Sequence, residues 1–222
     1  MTDSGVLRIA VLISGSGTNL QAIIDAIAAE KIPAELVAVL SDRPDAYGLQ
    51  RAAAAGIPTI PLNYKAFASR SDFEARLASE LVRLCPDLVV LAGYMRILPA
   101  EIVNTFAGRM LNVHPSLLPA YPGLNTYARV LAAGEKHHGA TVHYVIPELD
   151  AGPAIIQYRV PVEPGDTEAC LRSRVQAGEY RIYPQTIRWI AEGRLRLKNN
   201  QVVLDNQPLT SPVIMEGAQC GH

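Results

Sequence analysis

The sequence predicts an α/β fold in which a mostly parallel, twisted sheet is covered by helices on both faces. Segments that are almost entirely apolar and rich in β-branched residues recur in the first half of the chain, as buried parallel strands do. Segments with a helical spacing of apolar residues alternate with them. This βαβ alternation predicts right-handed crossovers, with ligands bound beyond the carboxyl ends of the strands.

The first half supplies four predicted strands and three predicted helices. One helix begins near Asn19 or Leu20, and another begins with a capping box formed by Ser71 and Glu74. The remaining helix covers Asp45 to Gly56 and is closed by Gly56 and Pro58. The predicted strands cover residues 7–13, 35–41, 58–61 and 88–92.

The second half continues with strands, helices and a hairpin. A helix is expected to end at Gly134, a longer one to break into two pieces at Pro184, and Asn199-Asn200 to form a hairpin turn. The His137-His138 pair is expected in a charged loop. Predicted strands cover residues 110–113, 141–145, 154–160, 195–198 and 201–204, and helices cover 126–133 and 168–189. We expect one domain over residues 1–210, followed by a poorly ordered tail over 211–222.

The composition argues against several classes of partner. The 222-residue chain has a net charge of −1, which argues against a nucleic-acid track or an anionic membrane surface as the partner. No apolar run approaches the ~20 residues of a membrane span. Three widely spaced cysteines favour a reducing compartment, so a cytoplasmic location is expected.

A glycine- and serine-rich loop follows the first predicted strand. Ser14 to Asn19 read Ser-Gly-Ser-Gly-Thr-Asn and lead directly into a helix. A strand, such a loop and a helix together present backbone N–H groups and a positive helix end to a phosphate. The alternative is a tight turn that uses glycine only for its dihedral angles.

A second polar segment ends the strand at residues 110–113. Asn112 and His114 are two positions apart and therefore point to the same side of an extended chain. The amide of Asn112 and a mobile proton on His114 suit a carbonyl-group reaction, whereas a pair of satisfied core residues is the alternative. No spacing typical of a zinc site or of a serine hydrolase elbow is present, so no metal is expected.

Four segments in order carry a specific resemblance. They read Ser-Gly-Ser-Gly-Thr-Asn-Leu-Gln, Leu-Ala-Gly-Tyr-Met-Arg-Ile-Leu, Leu-Asn-Val-His-Pro-Ser-Leu-Leu-Pro and Leu-Asp-Ala-Gly-Pro. Together they resemble the phosphoribosylglycinamide formyltransferases, the folate-dependent transformylases of purine synthesis. The resemblance extends over about residues 7–209 and implies a Rossmann-like formyltransferase fold. It also implies 10-formyltetrahydrofolate as co-substrate and glycinamide ribonucleotide as acceptor.

The resemblance assigns roles to individual residues. It implies a catalytic trio of Asn112, His114 and Asp150, in which Asn112 and a protonated His114 donate to the oxyanion of a tetrahedral intermediate. It also implies ribonucleotide contacts from Gly17, Thr18, Asn19 and Glu179, and folate contacts from Arg70, Met95, Arg96, Ile97, Leu98 and Asn112. Asn125 and Tyr127 depart from the pattern, because some relatives carry histidines there, and Pro147 replaces an acid that is common before Glu-Leu-Asp.

Two alternative functions remain open. One is a formyltetrahydrofolate deformylase, a hydrolase in which water replaces the amine. The other is a non-catalytic nucleotide-binding module that uses only the Ser14–Asn19 loop, which turnover would exclude. A monomer or a homodimer acting on small molecules, without nucleic acid or membrane, is expected in either case.

Overall fold

The computed structural model describes residues 5–217, and the chain divides into two compact units between Leu111 and Asn112. The sequence predicted one domain over residues 1–210. Whether the two units act as one domain stays a prediction.

The first unit contains parallel strands in the order β4-β1-β2-β3. β1 pairs in parallel with both β2 and β4, and β2 pairs in parallel with β3. β1 and β4 supply continuous buried apolar side chains, which is typical of a sheet covered on both faces. The bounds are β1 Leu7–Ile13, β2 Ala34–Ser41, β3 Thr59–Pro61 and β4 Leu88–Leu91.

Four helices belong to the same unit. The spacing of Leu20, Ile23, Ile24 and Ile27 predicts one apolar stripe on α1; the first three are buried and Ile27 is half-buried. α4, which follows Pro99, was not predicted, because six residues are too few to show a helical period. The helices are α1 Thr18–Ala28, α2 Tyr47–Ala54, α3 Arg70–Leu84 and α4 Ala100–Thr105, with a 3₁₀ turn at Tyr64–Ala66.

The start of α3 corrects a prediction. The helix begins at Arg70, and its N-cap is Ser69 rather than Ser71. The Ser69 hydroxyl accepts from the Asp72 N–H at 3.1 Å and donates to the Asp72 carboxylate at 2.8 Å. The sequence holds two overlapping Ser-x-x-acid patterns, and the structure uses the first.

The second unit is a mixed sheet with one long helix. Its strand order is β5-β6-β7-β11, in which β6 and β7 are antiparallel and β11 is parallel to β7. β5 is Met110–His114, of which Asn112 to His114 belong to this unit. The other elements are β6 His137–Tyr144, β7 Ala154–Pro161, β11 Val213–Glu216, α5 Thr126–Ala133 and α6 Glu168–Ala191.

Three expectations for this unit are wrong. His137 and His138 lie in β6 rather than in a loop, and His138 is buried. α6 is one helix despite Pro184, because both of its halves bury apolar side chains, and this packing outweighs one missing hydrogen bond. Part of the expected poorly ordered tail over 211–222 forms β11; residues 218–222 lie outside the described residues.

The predicted hairpin is confirmed. β8 Leu195–Lys198 pairs antiparallel with β9 Gln201–Leu204, and β10 Gln207–Pro208 adds a third strand. Asn199 and Asn200 have φ values of 50° and 60°. Two successive left-handed residues are what a two-residue hairpin turn requires, and asparagine tolerates them well.

Ser69→Ala is expected to lower the free energy of unfolding by about 1 kcal/mol, the usual effect of losing an N-cap hydroxyl. Ser71→Ala is the matched control and should change it by a few tenths of that, because Ser71 does not cap the helix. Urea denaturation of both variants measures the difference. A larger loss for Ser71→Ala would contradict the assignment of the cap.

Candidate active site

The second unit brings together the three residues of the predicted catalytic trio. His114 ends β5, and its Nε2 lies 3.0 Å from the carbonyl oxygen of Tyr121. Because a carbonyl only accepts, His114 carries a proton on Nε2. Its Nδ1 lies 3.4 Å from Oδ2 of Asp150, and both side chains are only 7% exposed. The Tyr121 carbonyl and the Asp150 carboxylate therefore contact the two ring nitrogens of His114.

Asn112 is held by a histidine that the sequence analysis did not single out. Its Nδ2 lies 3.2 Å from Nε2 of His143, and Nδ1 of His143 lies 2.9 Å from the carbonyl oxygen of Tyr144. His143 therefore donates through Nδ1 and accepts through Nε2. Burial lowers the pKa of His143 and keeps the ring neutral, so it can accept. One Nδ2–H of Asn112 is thereby fixed, and the other remains for a ligand.

The loop after β6 carries Asp150 into this arrangement. Asp150 has a φ of 52°, and its Oδ2 accepts the Gly123 N–H at 2.8 Å. At Gly152 a Cβ would lie 1.8 Å from the carbonyl oxygen of Tyr144, so only glycine allows this approach. The Leu-Asp-Ala-Gly-Pro motif thus allows the chain to turn so that the Asp150 carboxylate lies beside His114.

A buried polar cluster holds the segment that carries Tyr121. Thr141 Oγ1 donates to the Ser116 carbonyl at 2.6 Å and accepts from the Leu118 N–H and from Nε2 of Gln157, each at 3.0 Å. Gln157 also donates to the Leu118 carbonyl at 2.7 Å. The hydroxyl of Thr141 is fully used, and Ser116 and Thr141 are fully buried. This satisfied cluster fixes the chain from which Tyr121 reaches His114.

Glu179 and Tyr127 lie near each other in this unit. Glu179 is a buried residue of α6, and its charge, after burial, contributes to a raised pKa of Tyr127. Tyr127 packs edge-to-face on His138 with a ring separation of 5.2 Å. Tyr127, one of the two departures from the family pattern, is therefore a core residue here, and Asn125 occupies the left-handed N-cap of α5.

The glycine-rich loop lies in the first unit. α1 begins directly after Gly17, which has a φ of 69°, and no side chain caps the helix. Thr18 is the first residue of α1, and Asn19 is buried. A helix start without a capping side chain has N–H groups that suit an anion, and anion binding by this loop stays a prediction. Ser14 ties this loop to the segment after β4, because its hydroxyl accepts the Met95 N–H at 2.9 Å.

The predicted folate residues of the first unit line one pocket of roughly 260 Å³. Arg70 reaches this pocket from α3, pairs with Glu74 at 2.6 Å and lies 3.4 Å from the Ile97 carbonyl. Met95 and Ile97 are 72% and 61% exposed, whereas Leu98 is buried. Exposed apolar side chains beside buried ones form a wall suited to an aromatic ring.

The Arg96 guanidinium is held by Asp42 and Tyr64. Its Nε donates to Oδ2 of Asp42 at 2.8 Å, and its Cζ lies 3.3 Å from the ring centroid of Tyr64. An ion pair with a buried carboxylate and a stacked ring hold it firmly. The charge of Arg96 is therefore committed to Asp42.

Within residues 5–217, no group of three or more His, Cys, Asp or Glu side chains could hold a metal ion. Over the same range, no helix has the length and apolar character to cross a membrane. Cys85 and Cys170 are exposed free thiols, whereas Cys220 lies outside the described residues.

Comparison with known proteins decides the family. A family model described as formyl transferase matches residues 7–187. The phosphoribosylglycinamide formyltransferase of Escherichia coli (strain K12) is 51% identical over 203 residues, which are 91% of this chain and 96% of that protein. The chain belongs to the phosphoribosylglycinamide formyltransferase family.

Solved structures of this family agree with the fold. The phosphoribosylglycinamide formyltransferase from Coxiella burnetii superposes with a TM-score of 0.90 at 52% identity, covering 95% of this chain and 99% of that one. A formyltetrahydrofolate deformylase from Pseudomonas syringae is more distant, with 26% identity and a TM-score of 0.82 over 90% of this chain and 66% of that one. The predicted α/β formyltransferase fold is therefore confirmed.

His138→Phe is expected to make stability less sensitive to acid. Burial, together with the nearby charge of His114, lowers the pKa of His138 from 6.5 to about 4. Between these pH values the unfolded chain binds a proton that the folded chain does not, so wild-type stability falls as pH falls. Phenylalanine keeps the packing on Tyr127 and removes this proton. Urea denaturation between pH 7 and 4.5 measures the two slopes, and equal slopes would contradict the assignment.

His143→Phe is expected to lower kcat about fivefold, because Asn112 loses one hydrogen bond that fixes its amide and such a bond is worth about 1 kcal/mol. His143→Gln offers a carbonyl acceptor and should recover part of the loss. Steady-state kinetics with both substrates measure the effect. If kcat were normal in His143→Phe, Asn112 would not depend on His143.

Proposed function

We propose that this protein transfers the formyl group of 10-formyltetrahydrofolate to the amine of glycinamide ribonucleotide. The observation that carries the proposal is the arrangement of an oriented amide, a histidine with both ring nitrogens engaged and a buried carboxylate. The amide belongs to Asn112, the ring to His114 and the carboxylate to Asp150. Family membership supports the same reaction, because the relatives at 51% and 48% identity are phosphoribosylglycinamide formyltransferases.

The reaction needs a donor where negative charge develops. The amine attacks the formyl carbon, and the carbonyl oxygen becomes an oxyanion in a tetrahedral intermediate. The second Nδ2–H of Asn112 is the hydrogen-bond donor that we assign to this oxygen, because the first is bound to His143. Pre-orientation of the amide means that little reorganisation is needed when the charge appears.

His114 contributes differently from the sequence expectation. Its Nε2 donates to the Tyr121 carbonyl, and its Nδ1 faces Asp150. The role that this geometry supports is a positive charge close to the oxyanion. Direct donation to the oxyanion would require one of these two contacts to be released.

A proton must also move from the attacking nitrogen to N10 of the departing folate. Asp150 is the carboxylate available among the trio, and it accepts the Gly123 N–H on one oxygen. We assign it, directly or through a water, to take the proton from the amine. Delivery of that proton to N10 allows the carbon–N10 bond to break and releases tetrahydrofolate.

The substrate contacts are part of the same proposal. The ribonucleotide is assigned to Gly17, Thr18 and Asn19, whose helix start suits a phosphate, and to Glu179 for the ribose hydroxyls. The folate is assigned to Asn112 and to the wall formed by Met95, Arg96, Ile97 and Leu98, with Arg70 toward its glutamate tail. We further propose a cytoplasmic monomer or homodimer.

His114→Ala is expected to reduce kcat by roughly 10²–10³, the scale for loss of one stabilising group at an oxyanion. The KM for the folate should change little, because the charge that His114 stabilises develops after binding. Rapid-mixing and steady-state kinetics separate the two. A normal kcat with a raised KM would make His114 a binding residue.

The test of the function follows a labelled formyl group with and without glycinamide ribonucleotide. A transferase should release little formate from 10-formyltetrahydrofolate alone, because orientation of the nucleophile can be worth about 7–11 kcal/mol. Addition of the ribonucleotide should move the label to its amine. If free formate appears at the same rate in both reactions, the protein is a deformylase.

A further inference from the structure

Helix α2 holds two successive carbonyls of the glycine-rich loop. The Gly15 carbonyl accepts the Gly48 N–H at 3.0 Å. The Ser16 carbonyl accepts Nε–H of Arg51 at 2.9 Å. Both donors come from α2, so the loop is attached to this helix through its carbonyl side.

These two bonds set the direction of the loop's N–H groups. In a trans peptide the carbonyl and the N–H point in opposite directions, and the loop peptides are trans. Carbonyls of Gly15 and Ser16 that point to α2 therefore turn the Ser16 and Gly17 N–H groups away from it. Neither N–H donates to another described residue. Successive N–H groups on one side of a loop form a concave anion site.

The backbones of the loop and α2 are in direct contact. A Cβ on Gly17 would lie 2.6 Å from the Cα of Gly48. A Cβ on Gly48 would lie 2.5 Å from Cδ1 of Ile13, which is fully buried, and 3.1 Å from the Cα of Gly17. Glycine at both positions lets the helix approach close enough for its N–H to reach the loop.

Arg51 is itself well fixed. Its second nitrogen donates to Oε1 of Gln21 at 3.1 Å, and Nε2 of Gln21 donates to Asp25 at 2.8 Å. The guanidinium also lies 4.9 Å from the ring centroid of Tyr47. A planar fork that bonds the loop and α1 together is a geometry that lysine cannot reproduce.

We propose that Arg51, supported by Gly48, is a positioning residue for the phosphomonoester of the ribonucleotide. It keeps the loop carbonyls off the anion and turns the Ser16 and Gly17 N–H groups toward it, and its positive charge lies behind the loop. The inference rests on the proposed function only in assigning this phosphate to the loop. Arg51 acts through the loop and bonds the phosphate itself at no point.

The test measures binding by calorimetry, with glycinamide ribonucleotide, inorganic phosphate and tetrahydrofolate as separate probes. Arg51→Met keeps an apolar stem and removes the fork. The Kd for the ribonucleotide and for phosphate should rise about tenfold, the effect of about 1.4 kcal/mol, whereas the Kd for tetrahydrofolate should stay within twofold. Arg51→Lys should give an intermediate value, because it restores the charge without the fork.

Arg83→Met is the matched control. Arg83 is an exposed arginine of α3 that pairs with Glu80, so its loss changes the net charge equally. It should leave all three dissociation constants unchanged. A loss of phosphate affinity in Arg83→Met equal to that in Arg51→Met would reduce the effect to net charge and overturn the proposal.

Gly48→Ala is the second variant, since it retains Arg51 and places a methyl group against the loop. It should also weaken the ribonucleotide selectively. In amide NMR spectra of the wild type, phosphate should shift the Ser16 and Gly17 resonances most. Unchanged ribonucleotide affinity in Arg51→Met, equal weakening of both substrates, or phosphate shifts elsewhere would each overturn the proposal.

The binding measurements are independent of turnover. If the wild type binds the ribonucleotide but transfers no formyl group, and Arg51→Met weakens that binding, the proposed function fails and the role of Arg51 stands. If it transfers the formyl group and Arg51→Met binds the ribonucleotide normally, the role of Arg51 fails and the function stands. A wild type that binds neither phosphate nor ribonucleotide overturns the role of Arg51 outright.

Discussion

The arrangement of the candidate site in the second unit depends on the hydrogen bond and the ion pair of one buried carboxylate, that of Asp150. Asp150 is only 7% exposed at its side chain, and a buried charge is costly unless it is hydrogen-bonded or paired. It accepts the Gly123 N–H and faces His114. The positive φ of Asp150 and the close approach of Gly152 exist to bring it there. The fold therefore holds the Asp150 carboxylate beside His114, the histidine to which we assign a catalytic role.

The first unit uses the same logic with backbone groups. Its glycine-rich loop is the proposed anion site, and its Gly15 and Ser16 carbonyls accept hydrogen bonds from Gly48 and Arg51. In each unit, N–H donors that we assign to a substrate are available because neighbouring groups are hydrogen-bonded within the protein. These donors are the second Nδ2–H of Asn112 and the N–H groups of Ser16 and Gly17. Arg96 shows the converse, since its bonds to Asp42 and its stacking on Tyr64 withdraw a charge that the sequence placed in the folate site.

The sequence predicted the elements with strong periodic or turn signals and missed those that depend on tertiary contacts. β1 and the Asn199-Asn200 hairpin match, because local residues dictate them. The break predicted at Pro184 is wrong, because packing along α6 outweighs the hydrogen bond that proline removes from a helix. The proposed trio follows from the resemblance to a known family, whereas nothing in the sequence pointed to His143. A single histidine in a strand gives no signal until the fold brings it to Asn112.

The most direct test of this account is a crystal structure with glycinamide ribonucleotide and an unreactive analogue of the formyl donor that retains the transferable carbonyl. The account predicts that this carbonyl oxygen lies about 2.7–3.2 Å from Nδ2 of Asn112, with Asp150 still bonded to the Gly123 N–H. A carbonyl oxygen that points away from Asn112, with the Asp150 carboxylate turned out of its site, would contradict the account.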